Sequence, residues 1–176
     1  STLAGTDLTF FALVTLNAAL AAASGAFCDI ADDTLAGSTS TTGCSPLRRN
    51  ASNTSVRSVY NSNNAPSKSV TTDVAFMYGI VKNSVDFNNY LNEGTAGNLV
   101  ATGTLASTRF VIGSNSAASG GFGATFYAGD LFEVFILSSA LTTGSRNRLA
   151  GYVAHKWGQS ALLPAGHPYK FGPPVA

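Results

Sequence analysis

Charge is scarce in this chain. Only 11 % of its 176 residues are Asp, Glu, Lys or Arg, against roughly a quarter in an average soluble protein. The formal net charge is +1 and the ten basic residues are scattered, so no basic stripe exists to hold a phosphate backbone and nucleic acid is excluded as a partner. Histidine is equally sparse. His155 and His167, with two distant cysteines, match no zinc-ligand spacing, and no Gly-x-Ser-x-Gly elbow marks a serine hydrolase. Long apolar runs are missing too. The stretch "LTFFALVTLNAALAAASGA" (8–26) is interrupted by Thr15 and Asn17 and falls short of the ~20 residues of a membrane span. It also lacks the basic flank of a secretion signal, so it reads as part of a folded domain, with no membrane as partner.

Cysteine occurs twice, at Cys28 and Cys44. Bridged, the pair would close a polar loop and stabilise the fold by about 3 kcal/mol. Unbridged, it would be two buried thiols. Two cysteines alone leave both alternatives open.

What the chain does have is Ser, Thr, Gly and Ala around short apolar runs of period two, the pattern of antiparallel strands. These runs are 8–16, 25–31, 56–60, 73–81, 84–92, 98–105, 109–114 and 130–138. The first is apolar on both faces, as a central strand would be. Lys82 and Asn83 suit a tight hairpin between the fourth and fifth. The polar stretch 32–55 reads as a long loop or weak hairpin, and the Gly-rich stretch 113–129 as a mobile rim loop. One helix is predicted over 142–158, with Leu149, Tyr152, Val153 and Trp157 on its apolar face, Thr142 or Thr143 as its cap and Gly158 as its end. His155 is expected in solvent, where its loss changes nothing; Trp157→Ala is expected to cost about 3 to 5 kcal/mol. The tail 159–176 carries four prolines and is expected to run extended along the sheet. Together these predict an all-β, two-sheet antiparallel sandwich with one C-terminal helix, a single domain over residues 1–176.

With the strands and helix placed, "YAGDLFEVFILSSALTTGSRNRLAGYVAHKWGQSALLPAGHPYKFGPP" resembles the C-terminal part of concanavalin A-like, laminin-G-like jelly-roll domains of bacteriophage virion proteins and bacterial secreted proteins. The matching elements are 129–137, Ala140 and Leu141, "GYVAHKWG" (151–158) and "LPAGHPYK" (163–170). That pattern often opens with a strand ahead of 8–16, for which this sequence leaves no room, so the resemblance implies a fragment or a strand borrowed from a neighbour. It further implies an extracellular or virion-surface location. Two roles are compatible with it: a non-catalytic domain that recognises glycans or cell envelopes, or a structural decoration protein that joins other virion or surface chains, or copies of itself, and binds no sugar.

Enzymes of this superfamily that cleave glucans carry Glu-x-Asp-x-Glu on one strand face. No such triplet occurs here, and Asp130 and Glu133, three apart, are expected on opposite faces, so no catalysis is expected. A calcium site is conceivable at Asp29, Asp32 and Asp33, where strand gives way to loop; the alternative is that these residues solvate a turn. For glycan binding, "DFNNY" (86–90) places Asp86, Asn88 and Tyr90 on one face of a strand, two hydrogen-bonding groups beside an aromatic ring. An ordinary polar strand face is the alternative. A second candidate is "RRNASNTSVRSVYNSNN" (48–64), whose Arg48, Arg49, Arg57 and Tyr60 would suit acidic sugars.

Overall fold

A computed structural model describes residues 3–17, 26–31, 44–49, 54–61, 63–101, 103–107, 109–116 and 122–175. In chain order the strands are β1 (Leu3–Gly5), β2 (Leu8–Val14), β3 (Ala26–Ala31), β4 (Cys44–Arg49), β5 (Ser55–Tyr60), β6 (Asn63–Asn64), β7 (Lys68–Ser69), β8 (Phe76–Lys82), β9 (Asp86–Leu91), β10 (Gly97–Val100), β11 (Leu105–Ser107), β12 (Arg109–Ile112), β13 (Ser114–Ser116), β14 (Phe122–Phe126) and β15 (Leu131–Leu137). Helix α1 (Thr143–Lys156) and a 3-10 turn (Ser160–Leu162) follow. Two antiparallel sheets dominate, one in the order β10-β9-β8-β2-β15 and the other β12-β3-β4-β5-β6, with β7 also on β5. β1 pairs with β11 and β13 with β14 in two small ribbons.

Strand β2 explains the architecture. All seven of its residues are buried, because Phe10, Ala12 and Val14 enter the core between the sheets while Phe11 and Leu13 enter a second cluster under α1. The sheet is therefore covered on both sides, and its central strand has no polar face. A chain of hydrogen bonds crosses the inter-sheet core. Asn89 Nδ2 donates to Pro66 O and to Tyr78 Oη, both at 2.8 Å; Tyr78 and Ser58 hydroxyls meet at 2.7 Å; Ser58 Oγ donates to Pro46 O at 2.8 Å. Burial pushes the Tyr78 hydroxyl far above its ordinary pKa, so it stays a neutral donor.

At one end of the sandwich the Lys82 side chain is fully buried, and its Nζ donates to Thr6 O (2.7 Å), Asn83 O (2.9 Å) and Gly103 O (3.1 Å). It also stands 4.9 Å from the centroid of the Tyr60 ring. Lys82 thus lies inside β8 and not in the turn expected at 82–83; the turn is 83–85, organised by Asn83 Oδ1, which accepts from the amides of Val85 (2.9 Å) and Asp86 (2.8 Å).

The helix starts as predicted: Thr142 caps it, its Oγ1 accepting from Ser145 N at 3.2 Å, and Gly158 takes a left-handed φ of +66° just past its end. Its buried face matches the prediction at Val153 and at Leu149, which packs half-buried against the same cluster, and differs at the two large rings. Arg146, Ala150, Gly151, Val153 and Ala154 are buried, whereas Tyr152 and Trp157, expected to pack the helix onto the sandwich, are 44 % and 39 % exposed. Small side chains let α1 lie close on Phe11, Leu13 and Met77, leaving the large rings at its flank.

Docking is completed by an ion pair. Arg146 Nε donates to Glu93 Oε2 at 2.6 Å, with the two side chains only 11 % and 1 % exposed. Glu93 reaches this position from the β9–β10 turn, where Asn92 (φ 49°) and Glu93 (φ 57°) both adopt left-handed backbone, at a steric cost for residues other than Gly. Burial pushes the Glu93 carboxyl above its ordinary pKa, and Arg146 pulls it back.

The tail then clasps the helix. Tyr169 packs where Gly151 leaves space; a Cβ there would lie 2.6 Å from Tyr169 Cβ. His155 is not simply solvated, since its Nε2 donates to Tyr169 O at 2.8 Å. Lys170 Nζ donates to the carbonyls of Ser160, Ala161 and Leu163 at 3.0, 3.0 and 2.6 Å, and His167 Nδ1 accepts from Tyr169 N at 3.2 Å.

Four expected elements differ. The tail 159–176, expected to run extended along the sheet, opens in the 3-10 turn Ser160–Leu162 and packs on α1 through Tyr169. Residues 44–49, within the stretch expected as a long loop or weak hairpin, form a full strand, β4, paired antiparallel between β3 and β5. The 113–129 stretch contains the β13–β14 ribbon. A short strand does precede β2, because residues 3–5 pair with β11 of the same chain.

Three measurements test this packing. In a double-mutant cycle, Arg146→Met should destabilise by about 3 to 5 kcal/mol because it leaves a buried carboxylate, and adding Glu93→Gln should cost clearly less than the sum; strict additivity by denaturant melts would refute the pairing. Trp157→Ala should cost about 1 to 2 kcal/mol, not the 3 to 5 expected of a core ring, and His155→Ala about 1 kcal/mol through its lost carbonyl bond. His167 has its pKa lowered from 6.5 by burial, then by Arg146 and Lys170, so its contribution is present above 6.5 and lost as pH falls through the folded value. The melting temperature of the wild type should therefore fall relative to His167→Gln between pH 8 and about 5.5.

Candidate functional site: a polar shelf on the outer sheet face

The alternation of β9 sorts its residues cleanly. Phe87 and Asn89 are buried inward, whereas Asp86, Asn88 and Tyr90 are half-buried on the outer face, as their spacing predicts. Antiparallel pairing with β10 sets Asn98 opposite Asn88 and Val100 opposite Asp86. The Asn98 carboxamide joins the group, its Nδ2 donating to Asn88 Oδ1 at 3.0 Å and to Asp86 Oδ1 at 3.2 Å. Both Nδ2 hydrogens are then used. Asp86 Oδ2 and Asn98 Oδ1 are left as acceptors and Asn88 Nδ2 as a donor, side by side. Val85 and Val100, 52 % and 72 % exposed, bound this shelf with apolar surface. Such a group, with donor and acceptors in fixed register, can take the paired hydroxyls of a polyol.

Asn98 is the member that sequence reasoning missed. A signal existed: counting back across the turn that contains "NEG" pairs residue 98 with residue 88, so Asn98 shares its face.

The structure separates the remaining candidates. Tyr90 lies on the same face but beside α1, where the Arg146 guanidinium covers its ring at 3.8 Å from the centroid; it is a packing surface for that cation and no open platform. Tyr60 belongs to the core. It is 1 % exposed, packs 5.5 Å from the Phe87 ring and donates its hydroxyl to Gly103 O at 2.9 Å, so it is removed from any sugar site with Arg57. Burial pushes its hydroxyl pKa up. Arg57 is half-buried on β5, with Arg48 as its cross-strand partner. Asp29 falls in β3; Asp32 and Asp33 lie outside the described residues, as does the side chain of Asp29. Among the described residues no cluster of three metal-ligating side chains occurs. Cys28 and Cys44 are buried as thiols, not joined in a disulfide.

The two carboxylates of the β15 region are both engaged. Thr15 Oγ1 donates to Asp130 Oδ2 at 2.9 Å, and Asp130 N donates back to Thr15 Oγ1 at 2.8 Å. Glu133 accepts from Lys156 Nζ at 2.8 Å and from Trp157 Nε1 at 2.7 Å. Each is committed to a separate structural partner, not to a shared acid–nucleophile pair.

Comparison with known proteins gives the fold. No family model matches the sequence, and no curated protein does. Solved structures match well. The chain superposes on the laminin-G-like domains 4–5 of the mouse laminin alpha1 chain with a TM-score of 0.57 and 10 % identity, over 81 % of this chain and 39 % of that one. It superposes on the carbohydrate-binding module of the Ruminococcus gnavus IT-sialidase, bound to alpha2,3 sialyllactose, with a TM-score of 0.59 and 11 % identity, over 80 % of each chain. Domain 4 of an extracellular arabinanase from Geobacillus stearothermophilus, in complex with arabinotriose, gives 0.52 and 18 %, over 85 % of this chain and 68 % of that one. The chain thus spans about two fifths of the laminin fragment. At these identities the likeness establishes the fold, a concanavalin A-like, laminin-G-like jelly roll, as the 129–170 motifs implied.

Proposed function

We propose that this chain is a non-catalytic domain that recognises glycans or cell-surface polysaccharides, and that it acts on the surface of a bacteriophage virion or a bacterial surface protein. One observation carries the reading: Asp86, Asn88 and Asn98 present a pre-organised set of acceptors and a donor on an open sheet face. Two structures of similar fold are sugar-bound modules, which supports it. The separate engagement of Asp130 and Glu133 supports binding without cleavage. The virion or bacterial-surface setting rests on the resemblance of residues 129–170. A role confined to decoration by strand borrowing loses one motive, because residues 3–5 pair within the chain. Calcium at Asp29, Asp32 and Asp33 stays a proposal, tested by the response of melting temperature to added calcium.

Array screening against bacterial polysaccharides and host glycans tests the main reading. A hit should be confirmed by calorimetry with Asp86→Ala and Asn98→Ala, each expected to weaken binding by about tenfold while stability changes by less than about 0.5 kcal/mol. Unchanged affinity in both variants would remove the shelf from the binding site.

A further inference from the structure

At the opposite end of α1 from the shelf lies a second surface with a different chemistry. β15 is the outermost strand of its sheet, and its register on β2 shifts between Leu131 and Glu133. Phe132, within that irregularity, meets Trp157 edge to face with ring centroids 5.5 Å apart. Core rings such as Phe10 and Phe27 are at most 1 % exposed, but Phe132, Trp157 and Tyr152 are 37 %, 39 % and 44 % exposed. Close packing of α1 leaves these three rings together at its flank, where they form one continuous aromatic surface beside β15.

Their orientation is nonetheless fixed. The Trp157 indole N–H is held by Glu133 Oε2 at 2.7 Å, and the other oxygen of Glu133 holds Lys156 Nζ at 2.8 Å. That ammonium stands 5.3 Å from the Tyr152 ring centroid and 5.7 Å from that of Trp157. Tyr152 also lines a shallow, open groove with Ser145, Arg148, Leu149, Pro174 and Val175. Aromatic faces kept open and locked in place, with a carboxylate and an ammonium at their rim, match a pyranose ring: its C–H face stacks and its hydroxyls bond to Glu133 and Lys156. An apolar protein surface fits less well, because covering Glu133 and Lys156 without hydrogen-bonding groups would desolvate their ion pair uncompensated.

We propose that Trp157, Phe132 and Tyr152, with Glu133 and Lys156, form a second glycan-binding site. It lies beside β15, three strands from β9 in the same sheet, or about 14 Å at ~4.8 Å per strand, so it is separate from the shelf. The inference rests on the reading that the domain binds glycans, and it assigns to the aromatic cluster a role that reading does not use.

Trp157 is the only tryptophan of the chain, so its emission reports this surface alone. The test titrates the intact chain with maltohexaose, cellohexaose and chitohexaose to millimolar concentration, following tryptophan emission and calorimetric heat together. A saturable emission change with at least one sugar is expected, with affinity falling about tenfold in Phe132→Ala and in Lys156→Met while both variants keep the wild-type melting profile within a few degrees. Heat without an emission change overturns this site and leaves the shelf reading standing; neither heat nor emission change with any of the three overturns the site as proposed. Emission that shifts on dilution of the protein without sugar identifies self-association through this surface and overturns it as well.

Discussion

The Glu93–Arg146 pair is the constraint on which the outer half of the molecule depends. Placing a guanidinium and a carboxylate under a helix is unfavourable for each alone, and the 2.6 Å contact makes the arrangement tolerable. It also explains two local oddities: a turn that holds Asn92 and Glu93 in left-handed backbone, and an arginine in the buried stripe of an otherwise small-residue helix face. Because Arg146 also covers Tyr90, the pair decides which part of the β9 face is left open. Helix docking and site definition are thus one event.

Much of the fold was legible because period two is a direct record of half-covered strands. The doubly apolar pattern of residues 8–16 identified the central strand, and Thr142 and Gly158 marked the ends of the helix. What stayed hidden has physical causes. β4 carries a proline and two arginines, and its two core residues, Cys44 and Leu47, stand three apart, so it shows no period-two pattern; its neighbours on both sides make it a strand. The buried face of α1 is built from Ala150, Gly151 and Ala154, whose small side chains give a weaker pattern than Tyr152 and Trp157. Periodicity weighs size, whereas close packing selects for its absence.

The candidate site was half legible for a similar reason. Asp86 and Asn88 follow from alternation within one strand, but Asn98 joins them only through cross-strand register. Tyr60 and Tyr90 carried the right residue type for sugar binding, and their burial or coverage depends on contacts far away in sequence, from Gly103 and Arg146. Aromatic residues are exposed elsewhere, on the flank of the helix. The outer sheet face is in this way divided by α1 into a carboxamide region over β9 and β10 and an aromatic region beside β15.

The buried ammonium of Lys82 has a consequence for how one end of this sandwich is maintained. Three carbonyls from separate segments, Thr6, Asn83 and Gly103, converge on it at 2.7 to 3.1 Å, much as backbone oxygens converge on a bound ion. Here the cation is tethered to the strand it serves. It arrives with the chain, in strict stoichiometry, and cannot be diluted away or stripped by a chelator. The loops at that end consequently take their order from a cation that folding itself supplies.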